Sequence, residues 1–137
     1  MSDLINELRD EHAFLINSFS DIEHSDIESG EAAQRLQSLK LALVWHMRRE
    51  HDELYSRLWE TTGNNLQLQR TIELFIRDKE KLLLAIAQFL DKYSEGGSTV
   101  DFKRDFNRLS IILGAHIKRE EEIIFSECRN IPFVSVA

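Results

Sequence analysis

The sequence has few residues that break helices or crosslink a chain: 137 residues include one proline, five glycines and one cysteine, Cys128. So few helix breakers leave room for long helices. A lone cysteine excludes an internal disulfide, which is typical of a reducing compartment. No apolar run is long enough to cross a bilayer, and the first residues include acids instead of the apolar stretch of a secretory signal. These absences predict a cytoplasmic protein.

Positive charge is also scarce. Lysine and arginine total 17 against 24 aspartates and glutamates, the net charge is −7, and the basic residues form no cluster. Nucleic acids and anionic membranes are bound through concentrated basic side chains, so neither is expected as a partner. The hydrophobic content of 42% and charged content of 30% are typical of a globular protein. We therefore expect one domain over residues 1–137.

Four segments repeat apolar residues at the spacing of an amphipathic helix. They cover approximately residues 3–28, 31–62, 65–94 and 99–129. Short polar or glycine-containing turns separate them, and Ser29, an asparagine of the Asn64-Asn65 turn and Ser98 are the predicted N-caps. No segment alternates like a strand. The pattern predicts an all-α fold, an up-down-up-down antiparallel four-helix bundle.

Two of the predicted helices carry the same motif, a histidine four residues before a glutamate. The pairs are His46 with Glu50 and His116 with Glu120. In a helix this spacing places both side chains on one face, about one turn apart. Both pairs lie in an apolar stripe, where a buried charge is costly unless it is paired or binds a metal. The repeated pair is therefore a candidate metal site.

Polar residues from all four helices are expected at one height in the bundle. The residues of this layer are His12, His46 with Glu50, Lys79, and His116 with Glu120. For each pair of consecutive helices, a layer residue on one helix and a layer residue on the next are separated from the connecting turn by the same, or nearly the same, number of residues. In antiparallel helices, such residues lie at one level. A single buried polar residue is more often a satisfied core side chain than a ligand. Four helices contributing at one height predict a shared site, and imidazole with carboxylate suits iron, manganese or zinc.

The arrangement of one histidine on the first helix and a His-xxx-Glu pair on the second and fourth resembles the hemerythrin-like, or HHE cation-binding, family. The resemblance covers roughly residues 3–130. It implies a four-helix bundle that usually holds two non-haem irons bridged by the two carboxylates. Members bind dioxygen or nitric oxide, sense oxygen, redox state or iron, or assist in repairing iron centres. The metal-ligand positions that it implies are His12, His46, Glu50, His116 and Glu120.

The third helix departs from the family pattern. Members normally have a histidine there, and Lys79 stands in its place. By the resemblance, one ion would keep His12 and His46, whereas the other would keep only His116 as a nitrogen ligand. An asymmetric site is therefore expected.

Three interpretations of the third helix remain open. Lys79 replaces one metal ion by pairing its ammonium with Glu50 or Glu120, and the protein then holds a single ion. Alternatively, Asp78 or Glu80 turns inward and completes a two-metal site. In the third interpretation, Lys79 extends its stem and carries its charge out to solvent.

The resemblance implies iron, as one or two ions, with zinc or manganese as alternatives. The implied partner is a small ligand such as dioxygen, nitric oxide or peroxide. A metal-binding or sensor protein is expected rather than a dedicated enzyme, and no residue is assigned a catalytic role. The alternative is a metal-poor regulatory or interaction bundle in which Lys79 neutralises the buried glutamates. The apolar stretch of residues 131–134 is a candidate homodimer contact.

The remaining conspicuous residues have structural interpretations. His51 follows Glu50 and points about 100° away from it, so it is expected to flank the site. Tyr55 and Cys128 are expected to be packing residues. Glu121 continues an acidic run and is expected to be solvated.

Overall fold

The computed structural model describes residues 2–25, 30–94, 97–129 and 131, and no strand occurs among them. A π-helical segment, His51–Tyr55, joins the second and third helices without interruption, so residues 31–61 form one helical rod. The predicted all-α class is confirmed. The helices are α1 (Ser2–Glu23), α2 (Glu31–Glu50), α3 (Ser56–Thr61), α4 (Leu66–Lys92) and α5 (Thr99–Arg129).

Local signals set the helix starts. The side chains of Asn65 and Ser98 each accept a hydrogen bond from the backbone N–H three residues on, at 3.1 and 3.3 Å. Both predicted caps are thus confirmed. Gly30 precedes α2 with φ +80°, a left-handed conformation that glycine adopts without steric cost. Ser29, the predicted cap of α2, lies outside the described residues. The first helix was predicted to reach about residue 28, but it ends at Glu23.

The helices pack so that α1 contacts α2 and α5, and α4 contacts the same two helices. Buried apolar side chains form two clusters with a polar layer between them. On α1, for example, Ile5 and Leu8 belong to one cluster and Leu15 and Phe19 to the other, and His12 lies between. The candidate site is therefore sealed by apolar packing above and below.

The helical rod of residues 31–61 changes its hydrogen-bond spacing directly after Glu50. The amide of Ser56 donates to the carbonyl of His51, five residues back. Leu54 and its neighbour Tyr55, at the end of this segment, are both buried. The helix predicted over about residues 31–62 is confirmed as far as residue 61, and the π-turn within it was not predicted.

Three further predictions concern membrane spans, Cys128 and the C-terminal tail. Among the described helices, none contains an apolar stretch that could span a bilayer. Cys128 is buried in an apolar cluster, as expected of a packing residue, and burial raises the pKa of its thiol to about 12. Ile131 packs against the same cluster. Residues 132–134 of the predicted dimer contact lie outside the described residues.

Candidate metal centre

The layer between the two apolar clusters brings together the polar side chains predicted to share one height. Each exposes at most 9% of its side chain. Since buried polar groups are costly unless satisfied, the contacts among them decide what the layer can do. The residues are His12, His46, Glu50, Lys79, His116 and Glu120.

Four of these residues offer donor atoms that all lie within 4.8 Å of one another: His12, His46, Glu50 and Glu120. His12 Nε2 lies 3.3 Å from Glu50 Oε2 and 3.1 Å from Glu120 Oε1. His46 Nε2 lies 3.1 Å from Glu50 Oε1. These distances are short, but the contacts lack hydrogen-bond geometry, and both Nε2 atoms remain without a hydrogen-bond partner. The four side chains therefore converge at ion-pair distances, with donor atoms that no hydrogen bond occupies.

Lys79 lies inside the layer and contacts both carboxylates. Its Nζ is 2.7 Å from Glu50 Oε1 and 2.9 Å from Glu120 Oε2, and 3.9 Å from the centre of the Tyr55 ring. Burial alone would raise the pKa of Glu50, but the Lys79 ammonium and the neighbouring imidazoles hold the pKa of that carboxyl well below its usual value. With its side chain only 9% exposed, Lys79 does not carry its charge out to solvent.

Tyr55 is part of the layer as well as a packing residue. Its hydroxyl donates a hydrogen bond to Glu120 Oε2, the oxygen that also contacts Lys79. Burial, followed by the charge of Glu120, raises the pKa of Tyr55, so the phenol stays protonated and remains a donor. Nothing in the sequence distinguished this contact from ordinary packing, because it depends on the position of Glu120 on another helix.

The outer ring nitrogens of two histidines are paired with carboxylates. His12 Nδ1 lies 3.0 Å from Glu121 Oε2, and His46 Nδ1 lies 2.8 Å from Glu11 Oε1. Glu121 was expected to be solvated, which is wrong, since its side chain is 27% exposed and contacts His12. Neither Glu11 nor Glu121 was assigned to the site from the sequence, since both lie beside an inward-facing residue and not on the inward face itself.

His116 lies in the layer but outside the four-residue group. Its Nε2 is 3.8 Å from Glu120 Oε2, and neither ring nitrogen has a hydrogen-bond partner. Burial lowers the pKa of His116, which favours the neutral ring. On α4, Asp78 lies 3.5 Å from Arg119 and is 36% exposed, and Glu80 is exposed. The structure therefore places neither acid of that helix in the layer.

The donor set fits a divalent cation. With Nδ1 directed at Glu121, a neutral His12 aims the lone pair of Nε2 at oxygens of Glu50 and Glu120. In the cation-free chain that ring is protonated: burial lowers the pKa of His12, but the two carboxylates outweigh burial and raise it to about 10. Histidine binds metal through a deprotonated nitrogen, so a metal ion would take the place of this proton. Two imidazoles and two carboxylates suit iron, manganese or zinc.

The comparison with protein families agrees with this geometry. The family model of the hemerythrin HHE cation-binding domain matches residues 3–128, which include every residue of the buried layer. No curated protein and no solved structure matches the chain closely enough to be compared. The chain belongs to the hemerythrin HHE cation-binding domain family.

Proposed function

We propose that the protein binds one metal ion, with iron as the first candidate, through His12, His46, Glu50 and Glu120. At that ion it binds or senses a small ligand such as dioxygen, nitric oxide or peroxide. Iron held by two imidazoles and a small number of carboxylates supplies redox chemistry and open positions for such ligands. Zinc and manganese suit the same donors and are the alternatives.

The observation that carries this proposal is that the two oxygens of each buried carboxylate have different neighbours. Lys79 contacts Glu50 Oε1 and Glu120 Oε2. The opposite oxygens, Glu50 Oε2 and Glu120 Oε1, lie near His12 Nε2 and have no hydrogen-bond partner. Lys79 thus contacts one oxygen of each carboxylate, and the other oxygen of each carboxylate lies near His12 and is free to bind a metal.

Charge supports one ion over two. The carboxylates of Glu50 and Glu120 with the ammonium of Lys79 carry a net charge of −1 in an apolar interior. One divalent cation changes this to +1, whereas two would raise it to +3. Uncompensated buried charge is strongly unfavourable, so the ammonium takes the electrostatic role of a second ion.

A cavity that could hold a small, weakly polar ligand lies beside the layer, on the other side of Tyr55. It has a volume of about 480 Å³ and lies between the rod of residues 31–61 and α4. Its apolar wall is formed by Tyr55, Trp59, Ile72 and Ile76, and His51 lies at its edge. Because the Tyr55 hydroxyl contacts Glu120, this side chain separates the cavity from the candidate metal group.

The up-down-up-down order of the helices is part of the same proposal. An up-down-up-down order is supported by the packing of α1 against both α2 and α5, and of α4 against the same helices. Short connections favour antiparallel neighbours. The single domain over residues 1–137 and the cytoplasmic location stay predictions.

The stoichiometry tests the proposal directly. Protein incubated with excess ferrous iron without oxygen, and then desalted, is expected to retain one iron per chain by elemental analysis. The visible spectrum of this protein should change when oxygen or nitric oxide is added. Two tightly bound ions per chain would contradict the single-ion site.

Replacing Lys79 by histidine is expected to raise the bound iron from one ion to two per chain. The new imidazole would join His116, and the loss of the ammonium would free Glu50 Oε1 and Glu120 Oε2 for a second cation. The same elemental analysis measures the change, and Lys81→His on the exposed face of α4 is the control. Unchanged stoichiometry in Lys79→His would show that Lys79 is not what limits the site to one ion.

A specific observation also favours a second function, a metal-poor regulatory or interaction bundle. In the cation-free chain, Lys79 and the protonated His12 together offset the charges of Glu50 and Glu120. The layer is then neutral without metal. A colourless, thermally stable protein that takes up no iron, manganese or zinc would establish this alternative.

A further inference from the structure

We infer that Glu11 and Glu121 are positioning residues of the metal centre, each fixing one ligand histidine from the side away from the metal. This inference rests on the proposed metal site. Neither carboxylate belongs to the four-residue donor group. Each contacts a histidine of that group through Nδ1, the nitrogen that does not face the other donors.

Glu11 uses both of its oxygens. Oε1 accepts from His46 Nδ1 at 2.8 Å, and Oε2 accepts from the guanidinium of Arg49. Arg49 is held in turn by Glu7 and Glu53. The carboxylate that orients His46 is therefore itself fixed, and its side chain is only 31% exposed.

Glu121 repeats this arrangement on the other side of the site. Its Oε2 lies 3.0 Å from His12 Nδ1, and its Oε1 lies 3.5 Å from Arg9 Nε. The Arg9 contact lacks hydrogen-bond geometry, so Glu121 is held less firmly than Glu11. Both histidines nevertheless have an arginine-supported carboxylate behind them.

The contact determines which ring nitrogen can bind metal. A carboxylate only accepts, so Nδ1 of His12 and of His46 carries the proton, and Nε2 is the nitrogen left to bind metal. A carboxylate behind a metal-bound histidine also raises the basicity of the ligand. A glutamine at the same position could donate its amide N–H to Nδ1, and it carries no charge.

Helix geometry explains why these two residues lie where they do. Glu11 precedes His12 but supports His46, and Glu121 follows Glu120 but supports His12. Consecutive helical residues point about 100° apart, so the neighbour of an inward-facing residue reaches toward the adjacent helix. Each ligand histidine is consequently fixed by a residue of another helix. Glu11 of α1 contacts His46 of α2, and Glu121 of α5 contacts His12 of α1.

The test is the affinity of the metal-free protein for Co²⁺, measured by competition with a chromophoric chelator. Glu11→Gln and Glu121→Gln are each expected to weaken Co²⁺ binding by about 10- to 100-fold. The cobalt d–d absorption bands of both variants should shift, because the histidine ligands become less basic. Circular dichroism should show the helicity of the wild-type protein.

Two matched variants remove a nearby charge without touching a histidine. Asp10→Asn changes the exposed neighbour of Glu11, and Glu122→Gln changes the exposed neighbour of Glu121. Both are expected to bind Co²⁺ with wild-type affinity and an unchanged spectrum. The inference is overturned if Glu11→Gln and Glu121→Gln also keep wild-type affinity, or if all four variants weaken equally. If the wild-type protein itself binds no Co²⁺, the proposed metal site fails and this inference fails with it.

Discussion

Replacing Lys79 by methionine is expected to lower the free energy of unfolding of the metal-free protein by about 3–5 kcal/mol. Methionine keeps much of the apolar stem but removes the ammonium that lies 2.7 Å from Glu50 and 2.9 Å from Glu120. Both carboxylates expose 1% or less, and the protonated His12 would then offset only one of them, which leaves the other uncompensated in an apolar interior. One of them must take up a proton or the layer must open to water. Urea unfolding in the presence of a chelator measures the loss.

Two further variants separate this electrostatic cause from a packing defect. Lys81→Met changes an exposed lysine of the same helix and should alter stability by no more than about 0.5 kcal/mol. The double variant Lys79→Met with Glu120→Gln removes the uncompensated charge and should recover part of the loss. If the double variant is as unstable as Lys79→Met alone, the destabilisation does not come from the carboxylates.

The sequence was sufficient to predict the helices and the height of the polar layer. Apolar spacing and the turn residues determine where each helix begins, as the caps at Asn65 and Ser98 show. Once helix starts are known, the level of an inward residue depends mainly on its distance from the turn. That is why the sequence predicts His12, Lys79 and Glu120 in one layer.

The sequence could not decide which residue of α4 faces the polar layer. Lys79 and its neighbours Asp78 and Glu80 each continue an acceptable row of apolar residues on α4. What distinguishes them is the position of Glu50 and Glu120 on other helices, which is a tertiary property. An ammonium placed against those two carboxylates is stabilised, whereas a third carboxylate there would be repelled.

The π-turn and the contact of Tyr55 with Glu120 could not be predicted from the sequence either. Residues 51–55 contain no proline or glycine to signal a change of helix type. Tyr55, the last residue of this segment, donates to Glu120 and lines the neighbouring cavity. Glu11 and Glu121 were missed for a related reason: their role depends on which helix lies beside them and not on the period of their own helix.

Removing the carboxylate of Glu50 is expected to abolish iron binding and preserve helicity, whereas removing the ammonium of Lys79 is expected to lower the free energy of unfolding. In Glu50→Ala the lysine keeps its contact with Glu120 at 2.9 Å, so the layer is not left with two uncompensated charges. The candidate metal group, however, loses the carboxylate that lies near both of its histidines. Iron content is therefore expected to fall from one ion per chain to none, while helicity is largely preserved.

Elemental analysis after iron loading, with circular dichroism on the same samples, measures both quantities for Glu50→Ala and for the equivalent Glu120→Ala. His51→Ala and Glu80→Ala are the controls, because both residues are exposed and neither belongs to the donor group. Both controls should retain one iron. Full stoichiometry in both glutamate variants would show that the ion is not held by the buried carboxylates. Loss of iron in His51→Ala would instead place the metal nearer the cavity behind Tyr55 than the layer in front of it.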